Sequence, residues 1–454
     1  MTKKQPKSNP SESKDCSTSI GGDCFIHDVF GRSHKVKDLA NLSLSDSPIS
    51  VYGFNNTTWK MEKMNISDVK ICESNQDLIK LTCASNFIEI ASSQDVLVNR
   101  NGDLFNIEAK DIAIGDLVMV PKFLPRHEKN FSLNDVFPGK KSGKIKARSG
   151  SKIHTADVRV SVRFITTLAV ISGMIDAGGF YDTKSGDVLF HSKSRVVCHL
   201  LASFLQDTFL VEPEVKNDSV RFQNKVVAMV IDSFLNNLAS QNQEMICYYL
   251  SGYFHTGSKF GFVDELEGTT NKPFVSMPIN NEVVFDRLRK SLLLFGIVPF
   301  RSEKCCTIID SSHIEDFFTS IPILHKEMVV KVEQFMNDFL ENPSYIVDLL
   351  GYKFGKSLSY LKSVCKIPEN KYKKIECFEK ESSIMSYLIA DQLNSFIKHR
   401  FIDVSKSPIS KLVDSSVVGV RVLKKENIGN RTSYSISCEK NYSFFINGIL
   451  CYNN

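Results

Sequence analysis

The sequence predicts a mixed fold: an all-β domain formed by both chain ends, interrupted by an α+β domain with two pseudo-symmetric αββα repeats. Short strand-like runs separated by turn residues extend from Asp23 to Lys122, and they return from Val417 to Asn454. Between them the periodicity becomes helical, and the order helix, hairpin, amphipathic helix occurs twice, with Gly173 and Gly252 at matching places. One β domain with an insertion in a surface loop explains this order, because such loops tolerate insertions.

The composition is that of an ordinary globular protein. Of the 454 residues, 42% are hydrophobic and 24% are charged, and this length suits about three domains. No apolar run is long enough to cross a membrane, so we expect no membrane partner, and residues 1–15 are predicted to be a disordered polar tail. The 12 cysteines form no CxxC pair, which indicates a reducing compartment and an intracellular protein of the nucleus or cytoplasm.

The N-terminal β part is predicted to span residues 16–123. Its strand-like runs include DCFIHDVF, PISVYGF, DLIKLTC, FIEIASSQDVLV and DLVMVPK. Residues 124–159 follow as a basic linker or a DNA-contacting loop, and the sequence leaves these alternatives open. The segment from Gly139 to Lys152 contains no acid, and phosphate backbones favour such basic runs through counterion release. The candidate DNA-binding residues are Lys140, Lys141, Lys144, Lys146 and Arg148.

An α+β core is predicted over residues 160–324. Its first copy begins with the helix VRFITTLAVISGMIDAGG, and its second begins with QEMICYYLSGYFHTG. Residues 325–402 are predicted to be a helical extension, and residues 403–454 are predicted to be the C-terminal part of the β domain.

The two chain ends resemble an intein splicing domain of the Hint fold, and the middle resembles a LAGLIDADG homing endonuclease. SYSISCE followed by YSFFINGILCYNN is similar to the last intein motif, and GDLFNIEAKDIAIGDLVMVPK is similar to the end of the N-terminal half of an intein. In the middle, Ser172–Gly173 and Ser251–Gly252 match the small residues through which paired LAGLIDADG helices pack. The resemblance extends from about residue 16 to the end and implies a Hint domain that an endonuclease core interrupts.

The resemblance to inteins also implies splicing positions near the N-terminus. Cys16 is the candidate nucleophile, with Ser17 and Thr18 as alternatives. Gln94 stands where the family has a histidine that polarises the scissile amide. Glutamine can donate a hydrogen bond but cannot act as a general acid.

At the C-terminus the family has a histidine, a cyclising asparagine and then a nucleophile. One register makes Asn453 the candidate cyclising residue, with Tyr452 at the histidine position and Asn454 in place of the nucleophile. The other register makes Asn454 the cyclising residue, and an upstream histidine of the motif is Tyr442 in either case. Asparagine has no nucleophilic hydroxyl or thiol, so complete splicing is expected to fail.

The resemblance to homing endonucleases implies one aspartate at the end of each paired helix. Two such carboxylates hold divalent ions that activate water for phosphodiester cleavage. Gly178 and Gly257 occupy these positions here, and Asp176 lies two residues before the first of them as a candidate substitute. The sequence therefore names no confident metal ligand, and we expect Mg²⁺ to be used only if some cleavage remains.

These observations leave three main hypotheses about function, and a partial splicing activity, N-terminal cleavage at Cys16, is a fourth possibility. The first is a degenerate intein-like and homing-endonuclease-like protein that has lost cleavage and complete splicing but can retain DNA binding. The second is a DNA-binding protein that never cuts, and the third is an active site-specific endonuclease with an unusual metal site. Double-stranded DNA is the expected partner in each, and the internal pseudo-twofold repeat predicts a monomer.

Overall fold

A computed structural model describes residues 19–341 and 415–452, with short gaps at 43, 45–47, 73–75, 84–85, 101–102, 126–130, 266–268, 303, 309–310 and 440–442. The protein is mostly sheet with some helices. The predicted tail at residues 1–15 lies outside the described residues, as does the predicted helical extension beyond residue 341.

The N-terminal part of the chain is rich in short strands. They are β1 (Ile20–Gly21), β2 (Phe25–His27), β3 (Ser33–Lys35), β4 (Ile49–Asn55), β5 (Lys60–Ile71), β6 (Gln76–Cys83), β7 (Phe87–Ala91), β8 (Asp95–Arg100), β9 (Asp103–Glu108) and β10 (Leu117–Pro121). One short helix, α1 (Val36–Leu39), follows β3. The strands form because apolar residues alternate with polar ones and the apolar set is buried, as in β6, where Leu81 and Cys83 face the core.

The middle of the chain carries a hairpin and then two repeats. The hairpin is β11 (Gly143–Ser149) and β12 (Lys152–Val158). The first repeat is α2 (Val162–Gly178), β13 (Gly179–Tyr181), β14 (Asp187–His191), α3 (Arg195–Phe209), β15 (Glu214–Lys216), β16 (Ser219–Gln223) and α4 (Lys225–Asn236). The second repeat is α5 (Gln243–Gly257), β17 (Lys259–Glu265), β18 (Thr269–Pro278), α6 (Glu282–Leu293), β19 (Phe300–Arg301), β20 (Cys305–Ile308) and α7 (Ser311–Ser320).

The chain then continues through α8 (Lys326–Glu341), and the described part resumes with strands. These are β21 (Val417–Arg431), β22 (Ser433–Cys438), β23 (Ser443–Ile446) and β24 (Ile449–Cys451). Single turns of 3₁₀ helix occur at Ala109–Asp111, Leu133–Asp135 and Leu238–Ser240.

Strands from both ends of the chain share one 14-stranded sheet, here called the large sheet. Its order is β24-β8-β10-β21-β6-β7-β1-β22-β5-β4-β23-β2-β3, with β9 beside β8. Because β23 also pairs with β24, the path from β24 to β23 closes on itself. Near the N-terminus Ile20 pairs with Tyr434, and near the C-terminus Cys451 pairs with Val96. The two chain ends are therefore held in one sheet.

Each repeat is longer than the sequence predicted. We expected αββα units, whereas each copy has the order αββαββα and a four-stranded sheet. The first sheet has the order β13-β14-β16-β15, and the second has the matching order β17-β18-β20-β19. The additional strands were missed because they are two to five residues long, too short for a clear period-two pattern.

Part of the segment expected to be a linker or a DNA-contacting loop forms the β11–β12 hairpin. Ile145 and Ala156 are register partners, and both belong to the hydrophobic core that contains α2 and α5. Strand β11 was not predicted from the sequence, because its inward face has only one isoleucine and one alanine, and these alternate with basic residues. Within the described residues, no helix is long and apolar enough to span a membrane.

Candidate functional site

The two helices that begin the repeats, α2 and α5, touch backbone to backbone. A Cβ atom built on Gly173 would lie 2.0 Å from the Tyr249 main-chain oxygen, and one built on Gly252 would lie 2.1 Å from the Val170 oxygen. Tyr249 precedes Gly252 by the same three positions that separate Val170 from Gly173. The contact is thus reciprocal, and it places the two helix ends side by side.

The last residue of each helix carries no side chain. At Gly178 an added Cβ would meet the His191 main-chain oxygen and the Thr256 methyl carbon, each at 2.7 Å. At Gly257 the nearest atom would be a ring carbon of Pro278 at 3.6 Å, which is an ordinary contact. The two positions are equivalent in sequence but differ in the space around them.

Asp176 is buried, and both of its carboxylate oxygens accept hydrogen bonds. Its side chain is 4% exposed, and its Oδ1 accepts a hydrogen bond from Arg287 Nη1 at 2.6 Å. Its Oδ2 accepts a hydrogen bond from the Tyr249 hydroxyl at 2.7 Å. Burial raises the pKa of Asp176, while the Arg287 charge opposes that shift. A cation at this carboxylate would have to displace the partly buried Arg287 guanidinium.

His255 holds the matching position in α5. Its Nδ1 lies 2.7 Å from the Ser251 main-chain oxygen, and its Nε2 accepts a hydrogen bond from the Leu324 amide at 3.2 Å. This pattern requires the neutral Nδ1–H tautomer, and burial lowers the pKa of His255 accordingly. The imidazole therefore ties the end of α5 to the chain that precedes α8.

The residues at the helix ends do not fit a Mg²⁺ site. Magnesium prefers carboxylate and other oxygen ligands, yet Gly178 and Gly257 supply none and Asp176 is bonded through both oxygens. In the described part of the chain, no group of three or more His, Cys, Asp or Glu side chains could hold a metal ion.

A second candidate site lies in the large sheet, where Gln94 joins the two ends of the chain. Its Oε1 accepts a hydrogen bond from the Ser19 amide at 3.2 Å, and its Nε2 donates to the Tyr452 main-chain oxygen at 2.8 Å. The Tyr452 amide in turn donates to the Asp95 oxygen at 3.1 Å. Gln94 is 3% exposed, so it bridges the chain ends inside the protein.

Several predicted splicing residues belong to segments that the structure does not describe. Cys16, with its alternatives Ser17 and Thr18, lies outside the described residues, as do Tyr442, Asn453 and Asn454. Their roles stay predictions. The structure brings the segments that lead to them together, because Ser19 and Tyr452 bond to one side chain.

A turn close to the C-terminus is fixed by contacts from three directions. Asn447 and Gly448 have φ angles of 48° and 75°, as a two-residue hairpin turn between β23 and β24 requires. The Asn447 side chain accepts from the Phe25 amide at 2.7 Å and donates to the Phe87 oxygen at 2.9 Å. A side chain at Gly448 would collide with the Arg289 guanidinium of α6.

Helix α6 therefore connects the Asp176 site to the large sheet. Arg287 binds Asp176, and Arg289, two residues later, has its Nη2 2.8 Å from His27 Nε2 of β2. Lys290 donates to the Gly31 main-chain oxygen at 2.7 Å and forms an ion pair with Asp286 at 2.6 Å. These residues were not predicted from the sequence, since the run DRLRK indicates only the polar face of a helix and gives no information about its partners.

The five candidate DNA-binding residues are all exposed. Lys140 and Lys141 lie in the turn before β11, whereas Lys144, Lys146 and Arg148 alternate along β11 and share its outward face. Exposure agrees with a binding role and does not by itself establish one.

Comparisons with known proteins return structural likenesses only. No family model matches the chain, and no curated protein matches it. A DnaB intein from Synechocystis is 18% identical over 23% of this chain and 69% of its own, with a TM-score of 0.20. The N-terminal LAGLIDADG domain of WhiA is 19% identical over 36% of this chain and 84% of its own, with a TM-score of 0.28.

A third similar structure is the LAGLIDADG meganuclease I-AabMI bound to uncleaved DNA. It is 16% identical over 47% of this chain and 98% of its own, with a TM-score of 0.25. Solved structures similar to parts of this chain thus include inteins and LAGLIDADG proteins, and at these TM-scores the likeness carries no argument about function.

Proposed function

We propose that this chain is an intein-like and homing-endonuclease-like protein that binds double-stranded DNA but neither cuts it nor completes splicing. In this proposal a Hint domain, built from the large sheet, holds a LAGLIDADG core built from the two repeats. The proposal rests on the motifs that resemble those families, together with the geometry of the helix ends. DNA would contact the chain without an activated water molecule at the centre of the repeat pair.

The observation that carries the loss of cleavage is the bonding of Asp176. It is the only acid in α2, and both of its oxygens are occupied, by Arg287 and by Tyr249. Freeing it for a metal would break the ion pair with Arg287, whose side chain is only 14% exposed, and would leave that charge without its carboxylate partner. The packing residues Gly173 and Gly252 remain, and these preserve the fold rather than the chemistry.

A binding and cleavage assay on the purified full chain tests this proposal. A library of long random duplexes is incubated with the protein at several salt concentrations, with and without Mg²⁺. We expect retained duplexes and no cut products. Cutting that requires Mg²⁺ and disappears in Asp176→Ala would instead establish the active endonuclease. Absence of DNA binding at every salt concentration would refute the proposal.

A residual terminal reaction is the second candidate function, and the position of Gln94 favours it. This side chain bonds to the Ser19 amide, three residues after Cys16, and to the oxygen of Tyr452, which precedes Asn453. The Cys16 thiol would attack the Asp15 carbonyl, so that a thioester forms while the Asp15–Cys16 amide bond breaks and the freed amine takes the thiol proton. An added thiol would then exchange with this thioester and release residues 1–15. Intact-mass measurement tests this: the fragment should appear with wild type and be absent with Cys16→Ala. Its absence from both would leave Gln94 a structural bridge only.

A further inference from the structure

The outward face of the β11–β12 hairpin carries three cations at regular spacing. Lys144, Lys146 and Arg148 alternate along β11, and each is exposed. Because side chains two apart in a strand point the same way, the three stand roughly 7 Å apart in a line. This separation is comparable to that of neighbouring phosphates along one strand of a nucleic acid.

None of these three cations has an acidic partner among the described residues. The only acid of the hairpin is Asp157, the register partner of Lys144, and it is bonded to Arg159 at 2.9 Å. Two exposed lysines on the large sheet, by contrast, form ion pairs with acids. In β5, Lys70 pairs with Asp68 at 2.7 Å, and in β21, Lys424 pairs with Glu426 at 2.8 Å, each with an acid two residues away on the same strand face. Apart from Asp157 opposite Lys144, the outward face of the hairpin thus presents a row of like charges, which favours an external anion.

The hairpin holds this row rigidly. Its inner side, Ile145 and Ala156, lies in the hydrophobic core of the repeats. The main-chain oxygen of Arg148 accepts from Lys225 Nζ at 2.8 Å, and that of Thr155 accepts from the Asn224 side chain at 2.9 Å. Both anchors come from the junction of β16 with α4, so the strand that carries the cations is held in place before any ligand arrives. Such preorganisation reduces the entropy cost of binding.

We propose that this face of the hairpin is a phosphate-binding surface that follows one strand of duplex DNA and supplies sequence-independent affinity. The inference rests on the proposed DNA binding and assigns part of it to three residues. Cations on alternate strand positions match successive phosphates, and they contact no base edge. Contacts of this kind raise affinity for every sequence equally and make binding depend steeply on salt.

Measurement of the salt dependence of binding tests the assignment. The variant Lys144→Gln/Lys146→Gln/Arg148→Gln is compared with wild type by fluorescence anisotropy on two unrelated duplexes. Each lost phosphate contact lowers the slope of log K against log salt by roughly 0.9. We therefore expect the slope to fall by about 3 on both duplexes, with affinity at low salt reduced at least about tenfold.

A matched control distinguishes the loss of these three cations from the loss of three positive charges elsewhere on the protein. Lys63, Lys70 and Lys424 are exposed on the large sheet, and changing all three to Gln removes the same charge. The control should keep the wild-type slope, and both variants should unfold at the wild-type temperature because all six side chains are exposed. An unchanged slope in the hairpin variant, or an equal loss in the control, would overturn the assignment while leaving the proposed function intact. Wild type that binds neither duplex would overturn both.

Discussion

Gly173 of α2 lies against the main-chain oxygen of Tyr249 in α5, at a distance that leaves no room for a side chain. Gly252 stands in the same relationship to Val170, so each helix supplies one glycine and one carbonyl to a shared crossing. This crossing, more than any polar group, determines where the two repeats meet.

Gly173→Ala and Gly252→Ala should each destabilise the protein by about 3 kcal/mol or more. A methyl group would force the helices apart, and overpacking of this kind outweighs the gain of under about 1 kcal/mol expected for alanine in a helix. Urea denaturation followed by circular dichroism measures the change. Gly257→Ala is the control, because its methyl group would make only an ordinary contact with Pro278. Equal stability of all three variants would contradict the packing argument.

An aspartate should be tolerated at only one of the two helix ends. Gly257→Asp is expected to fold with a change within about 1 kcal/mol, since the Cβ has space. Gly178→Asp should lose about 1–3 kcal/mol because its Cβ would press against the His191 carbonyl. Thermal unfolding compares them, and neither single variant should cut DNA. A stable Gly178→Asp protein would show that the end of α2 can readjust.

Removal of the Arg287 charge beside Asp176 should lower the free energy of unfolding more than removal of the Tyr249 hydrogen bond to Asp176. Arg287→Met leaves a buried carboxylate unpaired, which costs about 3–5 kcal/mol. Tyr249→Phe removes one hydrogen bond and should cost about 1–3 kcal/mol. If Asp176→Asn in the Arg287→Met background restores most of the stability, the loss came from the buried charge. Additive effects of the two changes would argue against a coupled pair.

Gln94→Leu should destabilise the junction of the chain ends by about 2 kcal/mol, because the Ser19 amide and the Tyr452 oxygen each lose a buried partner. Gln94→His keeps a donor and should retain more of the stability. Hydrogen exchange at residues 19–21 and 449–452 measures the local effect. Unchanged exchange in Gln94→Leu would mean that β1 and β24 are held by their ladder bonds alone.

The protein should lose stability as the pH falls below about 6.5. Burial, with the nearby Lys290 charge, holds the pKa of His27 well below its ordinary value of 6.5. In this pH range the His27 imidazole therefore binds a proton in the unfolded chain but not in the folded chain. The free energy of unfolding drops between pH 7 and pH 5 as a result.

Asp286 acts in the same direction at lower pH. Burial raises its pKa, but the charges of Lys290 and Arg289 dominate and hold that pKa below its ordinary value of 3.8. Its contribution is lost as the pH falls below that value. Urea unfolding at pH 7, 6 and 5 tests the His27 part: His27→Gln should flatten the dependence, and His255, whose pKa burial also lowers, contributes in the same direction. His191→Gln, an exposed control, should match wild type, and identical profiles for both variants would exclude His27.

The sequence by itself determined the kinds of secondary-structure elements and the order in which they occur. Turn-punctuated apolar runs at both ends, and a doubled helix pattern around Gly173 and Gly252, do not depend on distant neighbours, so they can be read locally. The same is true of residue identity at Gly178, Gly257 and Gln94, where an expected acid or histidine is replaced. The sequence did not predict the short strands of each repeat or strand β11, because a few residues show too little alternation of apolar and polar side chains.

Only the tertiary structure decided what the polar residues do. Asp176 could have been a metal ligand on sequence grounds, and its partners Tyr249 and Arg287 lie 73 and 111 residues away. The bridge from Gln94 to Tyr452 spans 358 residues. Hydrogen bonds and ion pairs act over a few ångströms of space, whichever positions in the chain are brought together. Which donor meets which acceptor is therefore fixed by the packing of helices and strands, which the local pattern of residues does not contain.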